Sequence, residues 1–441
     1  MKTKIRKANI VLLLLVLTGV VAGIASPGNY DNAPGGMGTQ MHLPVVLSYM
    51  VVYGLLLSAI FVRPHAVMRA ILNVGILWLL VGFCLLSALW SDDPSLSLRR
   101  SMMLALTVLV AAIIGSEFSV GTIAQLLGVA SLIHIGLTFA LLAVEPRMLF
   151  SWDTPNYIRG LTTHKNFFGL DMGMAVVALA LAPIPRMRFL RWPFAGLAFG
   201  MLLWSHATGA LVATLASIAV MLMMPIARVQ GLKKVPLLAV AGSLVAAAAV
   251  LLEQSATLLP GLFQKNATLT GRTELWDLLV TAIQHRPLLG YGYDNFWQGL
   301  SGESLNVIRS VGWMVPTAHN GYLDLFLGIG MVGALVFFAI LFMAMRMTWR
   351  YARADKTAVG MFPAAFIAFW LVYNMSESEL LTRSGTTILL FVALAASMRV
   401  ALAAQRQRAR LVAEPLLPEF RPGDALAWEE NDMDWLISRA G

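Results

Sequence analysis

Three short polar clusters stand out in an otherwise apolar sequence. They are Arg159-Gly160 with His164-Lys165-Asn166, Gly271-Arg272-Thr273-Glu274-Leu275-Trp276, and Ala318-His319-Asn320-Gly321-Tyr322-Leu323. Each cluster lies at or next to the start of a predicted helix, where free backbone N–H groups and the helix dipole favour a bound anion. A guanidinium group adds a planar fork of donors that fits phosphate or carboxylate oxygens. Together the clusters predict a site for an anionic group.

Within these clusters, Arg159 and Arg272 are predicted to hold the anion. For either arginine alone, the alternative is a side chain that reaches lipid headgroups, but three clusters on one side of the membrane favour a shared site. His319 is the candidate general base, because a helix start disfavours the imidazolium form and leaves a neutral ring that can accept a proton from a hydroxyl. The alternative for His319 is a hydrogen bond to a loop carbonyl.

The other polar and aromatic side chains of the clusters are predicted to contact the substrate, namely His164, Lys165, Asn166, Asn320, Tyr322, Glu274 and Trp276. Asp171 and Asp324 lie about one and a half turns into the helices that follow. A carboxylate at that depth is expected to face the protein interior or a wet cavity, where it pairs with one of the arginines and supports the site. Glu377 and Glu379, near Arg383, are interpreted as an exposed turn rather than as a further set of partners.

Aromatic residues crowd the segment 254–318. Its densest run is Gly290-Tyr291-Gly292-Tyr293-Asp294-Asn295-Phe296-Trp297. Rings beside polar groups form flat platforms for sugar faces, although they also anchor loops at a membrane interface. We favour the first role and predict that Tyr291, Tyr293 and Trp297 contact carbohydrate.

Several kinds of chemistry have no motif in this sequence. There is no Gly-rich phosphate loop of the Walker type, no His-Glu-x-x-His metal pair and no serine nucleophile elbow. The single cysteine, Cys84, excludes an intramolecular disulfide and a cysteine-cluster metal site. The sequence therefore predicts neither a metal nor a bound cofactor.

Composition identifies the class of protein. Hydrophobic residues make up 58% of the chain and charged residues 12%, against roughly a quarter charged in soluble domains. Apolar runs of about 17–25 residues recur, each long enough to cross a bilayer as a helix. We predict an all-α, polytopic membrane protein of about twelve transmembrane helices, near 9–25, 43–62, 70–89, 101–118, 122–143, 167–183, 193–206, 209–227, 236–253, 319–345, 361–376 and 386–404.

The basic residues predict the orientation of the chain. The net charge of +9 would suggest nucleic acid in a soluble protein, but in a membrane protein the side on which the charges fall matters more. Lys2, Lys4, Arg6 and Lys7 precede the first apolar run, and most Lys and Arg fall on the same side as this terminus. By the positive-inside rule both termini are cytoplasmic, with inner-membrane lipids as neighbours and no nucleic-acid partner expected. Residues 1–25 alternatively form a cleaved signal peptide.

The predicted organisation has four parts. These are helices one to nine over 1–253, a periplasmic loop over 254–318 with an amphipathic helix near 271–285 on the outer membrane surface, helices ten to twelve over 319–404, and an acidic, flexible cytoplasmic tail over 405–441. The tail is a candidate docking segment for a cytoplasmic partner.

The ordered clusters resemble the bacterial O-antigen ligase and Wzy-type polymerase family between about residues 150 and 340. The motifs are Arg159-Gly160 with His164-Lys165-Asn166, Gly271-Arg272 with Trp276, Arg286-Pro287-Leu288-Leu289-Gly290-Tyr291-Gly292, and His319-Asn320-Gly321-Tyr322-Leu323 with Gly328-Ile329-Gly330. The run from Tyr291 to Trp297 is most similar to the exopolysaccharide polymerases. Where the family often has a Ser/Arg turn, this chain has Ser205-His206-Ala207-Thr208 and lacks the arginine.

The resemblance implies a GT-C-like fold and an inverting, metal-independent glycosyl transfer at the periplasmic face of the bacterial inner membrane. The implied donor is an undecaprenyl-pyrophosphate-linked glycan, with Arg159 and Arg272 on the pyrophosphate and His319 activating the acceptor hydroxyl. Pyrophosphate leaves readily once its charge is held, so this chemistry requires no metal and no general acid.

The predicted function is polymerisation of lipid-linked repeat units into exopolysaccharide, and the acidic tail would then dock a chain-length regulator or an export complex. The close alternative is a ligase that transfers the finished glycan to lipid A core, since only the acceptor differs. A twelve-span solute transporter is the alternative from another class, and it would require two matched halves with substrate residues near the middle of the bilayer.

Overall fold

The computed structural model describes residues 63–150, 156–228, 272–298, 301–383 and 385–413. The predicted spans near 9–25, 43–62 and 236–253, and the part of the acidic tail after residue 413, lie outside these ranges. Within the described ranges the regular structure is helical, apart from one antiparallel bridge between Phe150 and Ile158.

Twelve α-helices are numbered here in chain order through the described ranges. They are α1 Pro64–Asn73, α2 Leu77–Leu86, α3 Pro94–Glu117, α4 Val120–Val144, α5 Lys165–Leu181, α6 Arg191–Ser205, α7 Thr208–Arg228, α8 Arg272–His285, α9 Gly302–Val311, α10 Gly321–Ala354, α11 Phe362–Tyr373 and α12 Thr386–Ala413. Short 3-10 turns connect some of them, at Ser87–Leu89, Pro146–Leu149, Pro185–Leu190 and Val359–Met361.

Five of these helices have stretches long and apolar enough to cross a membrane, namely α3, α4, α7, α10 and α12. Two bent pairs raise the count to as many as seven: α1 with Leu77–Leu89, which meet at 90°, and α5 with Pro185–Ser205, which meet at 106°. The structure therefore supports a multi-pass membrane protein, and the described helices coincide with nine of the predicted segments.

Two predicted stretches differ from continuous spans. The segment near 70–89 breaks between Asn73 and Leu77, where Gly75 interrupts the helix. The segments near 167–183 and 193–206 form one bent pair, because Pro183 and Pro185 cannot continue the helix that ends at Leu181. Hydrophobicity averaged over a window of residues does not reveal such breaks, since the side chains on both sides of each break are apolar.

The helix α10 is also interrupted, although its apolar run is continuous. Gly330 has φ +60° and ψ −169°, outside the helical region. A Cβ at this position would overlap the Leu288 carbonyl. Backbone groups freed by the break pair with the preceding loop, since Tyr291 N–H donates to the Leu327 carbonyl at 2.8 Å and Met331 N–H donates to the Pro287 carbonyl at 2.8 Å. The first turns of α10 thus form a separate short rod.

The chain between α8 and α10 has a hydrophobic core of its own. The core is formed by Leu275, Leu279, Ala282, Tyr291, Phe296, Val307, Ile308, Val315, Ala318 and Leu327. It contains the apolar face of α8, residues of α9 and one residue of the short rod of α10. The described part of the segment predicted as a loop is therefore a packed unit that includes the start of α10.

Candidate active site

Four helix N-termini converge on the loop that joins α11 to α12, here called the 374–379 loop. The first turn of α5 reaches it through Asn166, α8 through Arg272 and α10 through the backbone N–H of Gly321. The first turn of α7 abuts it so closely that a Cβ on Gly209 would overlap the Ser376 hydroxyl. Each N-terminus is the positive end of a helix dipole, so the convergence favours a bound anion.

Glu377 is the side chain on which these helices meet. Its Oε1 accepts from Asn166 Nδ2 at 2.7 Å and pairs with Arg272 Nη2 at 3.2 Å. Its Oε2 lies 3.6 Å from His319 Nδ1. Burial raises the pKa of the Glu377 carboxyl, but the nearby His319 ring and the charges of Arg272 and His164 outweigh burial and leave that pKa below its usual value. Glu377 is therefore a carboxylate at neutral pH.

His319 has an unusual backbone conformation. Its φ is +47°, in the left-handed region that non-glycine residues rarely adopt. The ring is partly exposed, while Nδ1 is buried and has no hydrogen-bond partner among the described residues. At 3.6 Å from Glu377, this nitrogen is one small shift from hydrogen-bond distance. Strained backbone at a polar site is typical of functional positions.

The start of α10 explains how His319 is fixed. Asn320 caps the helix, since its Oδ1 accepts from the N–H groups of Tyr322 at 3.0 Å and Leu323 at 3.3 Å. Gly321 N–H donates at 2.9 Å both to the Asn374 carbonyl and to the Glu377 carbonyl. A side chain at Gly321 would overlap Asn374. Glycine here allows α10 to press its first turn onto the 374–379 loop.

Arg272 is anchored at two points. Its Nη1 donates to the Ser376 carbonyl at 2.7 Å, and its Nη2 pairs with Glu377. Trp276, one turn further along α8, donates from Nε1 to the Ala318 carbonyl at 2.9 Å and so holds α8 against the residue before His319. Glu274 is exposed in the first turn of α8.

The first cluster divides its side chains between two tasks. Asn166 contacts Glu377, and His164 caps α5, with Nδ1 accepting from Asn166 N–H at 3.2 Å. Lys165 lies over the Tyr157 ring at 4.1 Å. Tyr157 also stacks on His206, with ring centroids 4.2 Å apart. Tyr322, from the third cluster, donates to the Leu371 carbonyl at 2.8 Å.

Arg159 is buried in the loop before α5. Its Nε donates to the Phe150 carbonyl at 3.2 Å and its Nη1 to the Thr162 carbonyl at 2.9 Å. Nη2 has no hydrogen-bond partner among the described residues. The side-chain contacts that the structure gives Arg159 are thus within its own loop, and none of them reaches Glu377.

The two aspartates do not pair with arginines in the described structure, contrary to the prediction. Asp171 faces His134, with Oδ2 at 3.4 Å from Nδ1. Asp324 accepts from Trp297 Nε1 at 2.7 Å and from Ala318 N–H at 3.0 Å. Both aspartates are partly buried and face the protein interior, as expected from their depth, but their partners are a histidine, an indole and a backbone amide. Sequence spacing indicates only that they face inward.

The aromatic run also takes a different place from the one predicted. Tyr291 and Tyr293 are 2% and 3% exposed, and their hydroxyls donate to the carbonyls of Ala282 and Leu381. In this conformation neither ring offers a face to a sugar. Trp297 is partly buried and is tied to Asp324. An exposed ring beside the site belongs instead to Trp313, whose centroid lies 6.1 Å from that of His319.

Glu377 and Glu379 are not an exposed turn, and the interpretation as one was wrong. The Glu377 side chain is 15% exposed and Glu379 is 8% exposed. Burial, together with the nearby charge of Glu377, raises the pKa of Glu379 to about 8. The sequence signal for buried glutamates at this position was a pair of acidic residues in a chain with an excess of arginines on the side predicted to be external. In the described ranges, no three His, Cys, Asp or Glu side chains are grouped to hold a metal ion.

Two comparisons with known proteins indicate what this chain is similar to. Residues 193–338 match the family model described as O-antigen ligase. Over 311 residues the chain is 26% identical to the exopolysaccharide production protein ExoQ of Rhizobium meliloti (strain 1021), which covers 67% of this chain and 70% of that protein. The matched region includes Arg272 and His319 and overlaps the resemblance seen in the sequence. These two matches support the resemblance to the O-antigen ligase and Wzy-type polymerase family that the sequence motifs indicate.

Proposed function

We propose that this protein is an inner-membrane glycosyltransferase that polymerises undecaprenyl-pyrophosphate-linked repeat units into exopolysaccharide at the periplasmic face. The observation that carries the proposal is the convergence of four helix N-termini on the 374–379 loop, where Arg272 and His319 face Glu377. This arrangement combines an anion site with a base, as the transfer of a sugar from a pyrophosphate to a hydroxyl requires. The name of the relative, an exopolysaccharide production protein, favours a polymer product.

In this proposal the helix N-termini and Arg272 hold the donor pyrophosphate, and Arg159 adds Nη2, which has no partner among the described residues. Charge that develops on the leaving pyrophosphate is stabilised by these fixed donors, without a metal. The acceptor hydroxyl attacks the anomeric carbon from the face opposite to the leaving group and inverts its configuration.

His319 takes the proton of the acceptor hydroxyl. Its Nδ1 side faces Glu377, so Nε2 is the nitrogen left to meet the substrate. The carboxylate orients the ring and stabilises the imidazolium that forms, as carboxylate–histidine pairs do in other enzymes. Because the pKa of Glu377 is low, this support persists throughout the neutral range.

A ligase that transfers finished glycan to lipid A core is the second candidate, since the matched family model is described as O-antigen ligase. The donor site would be the same and the acceptor would differ. Lipid-linked glycans therefore distinguish the two candidates.

The test is mass spectrometry of lipid-linked glycans and secreted polysaccharide in a strain that lacks the protein and in one that carries His319→Ala. Accumulation of a single lipid-linked repeat without polymer supports the polymerase. Long lipid-linked chains that are not transferred support the ligase. An unchanged profile in both strains contradicts both functions and favours a transporter.

A further inference from the structure

We propose that two residues of adjacent apolar helices, the buried His134 of α4 and the partly buried Asp171 of α5, position Arg159 for the anionic group of the donor. His134 is 1% exposed, and its Nδ1 lies 3.4 Å from Asp171 Oδ2. The inference rests on the proposed function, in which Arg159 contacts the pyrophosphate.

The two nitrogens of His134 have different partners. Nε2 accepts a hydrogen bond from the backbone N–H of Leu161 at 3.2 Å. A ring nitrogen that accepts from an N–H carries no proton, so the proton of the ring is on Nδ1, on the side of Asp171. Asp171 therefore selects the tautomer that leaves an acceptor for the loop before α5.

The loop is packed directly against this ring. Gly160, at φ +54°, lets the backbone approach so closely that a Cβ would overlap the Phe168 ring and lie 3.2 Å from His134 Nε2. Phe168 in turn packs edge-on against His134, with ring centroids 5.3 Å apart. His134 thus fixes the backbone next to Arg159.

The loop carries this restraint to the guanidinium group. Arg159 donates to the carbonyls of Phe150 and Thr162, both in the same stretch of chain that Leu161 fastens to α4. Once Leu161 is held, the two carbonyls hold Nε and Nη1, and Nη2 takes one direction. Release of Leu161 would let the arginine change orientation without removing it.

The chemistry of the pair favours positioning over simple packing. Ionisable groups between apolar helices are costly, and apolar side chains of similar volume commonly stabilise a fold as well or better. A contact that served packing alone would have no need of a histidine and a carboxylate. A polar pair is needed if the function is to present an acceptor to one backbone N–H.

The test measures binding of farnesyl pyrophosphate to the full-length protein in nanodiscs by calorimetry. His134→Phe keeps the ring volume and removes both nitrogens. We expect its Kd to rise about tenfold, because an unpaired buried N–H frees the loop. His134→Gln, which retains an acceptor near the position of Nε2, is expected to restore Kd to within about threefold of wild type.

Ser131→Ala is the matched control. Ser131 lies one turn before His134 on α4, and its hydroxyl bonds only the Leu127 carbonyl of the same helix among the described residues. This variant is expected to bind like wild type. Hydrogen exchange at the Leu161 amide is expected to speed up in His134→Phe and not in Ser131→Ala, a local change that a general loss of stability would not produce.

Arg159→Ala separates the two levels of the argument. If Arg159→Ala weakens binding while His134→Phe binds like wild type, the positioning inference is overturned and the proposed function stands. If Arg159→Ala itself binds like wild type, the donor role proposed for Arg159 fails, and the inference fails with it. Should His134→Phe not fold, Asp171→Asn replaces it, with an expected rise in Kd of about threefold and a wild-type Kd as the contradicting result.

Discussion

At the scale of single residues, Glu377 is central to the proposed chemistry of this site. Its carboxylate contacts the arginine assigned to the donor and faces the histidine assigned to the acceptor. One side chain thus links both halves of the proposed reaction. The strained backbone of His319 shows that the fold accepts a local cost to keep the ring in this place.

Glu377→Gln tests this link, because the change keeps the size of the side chain and removes its charge. We expect the initial rate of polymerisation to fall about 100-fold, since the ring loses the group that orients it and stabilises its protonated form. Binding of farnesyl pyrophosphate is expected to hold or tighten, because Arg272 loses a competing anion. Rates measured in vesicles, with calorimetry on the same preparation, check both halves. A wild-type rate would contradict the role of Glu377.

Glu379 predicts a pH dependence of stability. In the folded protein the Glu379 carboxyl keeps its proton up to pH about 8, whereas in the unfolded chain it loses the proton near the usual pKa of 4.5. Between these values the unfolded state binds fewer protons, so stability falls as the pH rises. We expect Glu379→Gln to flatten the decline in Tm between about pH 5 and 8, with Tm measured in detergent by scanning fluorimetry. Equal slopes in both proteins would contradict the buried, protonated carboxyl.

At the scale of elements, the important feature is how closely the helix N-termini approach the 374–379 loop. Two glycines, Gly209 in α7 and Gly321 in α10, allow this approach, since a side chain at either would overlap the loop. The positive dipole ends are therefore brought together by the absence of side chains. This kind of packing is specified by residues that have no chemistry of their own.

A double-mutant cycle tests the approach of α7. Gly209→Ala places a methyl group against the Ser376 hydroxyl, and we expect it to cost about 1–3 kcal/mol of stability through overpacking and to lower activity by moving Glu377. Ser376→Gly removes the opposing group. The double variant is expected to recover most of both losses, as measured by Tm and by initial rate. Losses that simply add would indicate that the two residues are not in contact.

At the scale of the whole molecule, we expect the folded protein to be stabilised by a ligand of this site. Arginine, histidine and four positive helix ends face one carboxylate, so a multivalent anion relieves repulsion in the folded state alone. We expect inorganic pyrophosphate to raise Tm. At a concentration one hundred times its Kd, binding raises the free energy of unfolding by about 2.7 kcal/mol. Arg272→Ala is expected to abolish this shift, and a shift that persists in that variant would place the anion elsewhere.

Much of the architecture could be predicted from the sequence, and the reasons for the rest are physical. Arg272 and His319 were assigned to one site because both precede or begin a helix, which local sequence reveals. The burial of Glu377 and its place in the site could not be predicted, because the burial of a turn depends on three helices that are distant in sequence. Tyr291 was assigned to sugar because an amphipathic ring has the same sequence signature in a core as on a surface.

The break at Gly330 has a consequence for how the enzyme sits in different bilayers. Below the break, Met331–Ala354 is about 36 Å long at 1.5 Å per residue, close to the thickness of a membrane. Above it, the short rod is held through the Leu327 carbonyl, which accepts from Tyr291 N–H, and the first residue of the lower rod is held by the Pro287 carbonyl, which accepts from Met331 N–H. We therefore expect a thicker or thinner bilayer to change the tilt of the lower rod about this anchored end, while His319 moves with the short rod. A change in tilt caused by hydrophobic mismatch would then end at Gly330 and leave the site in place.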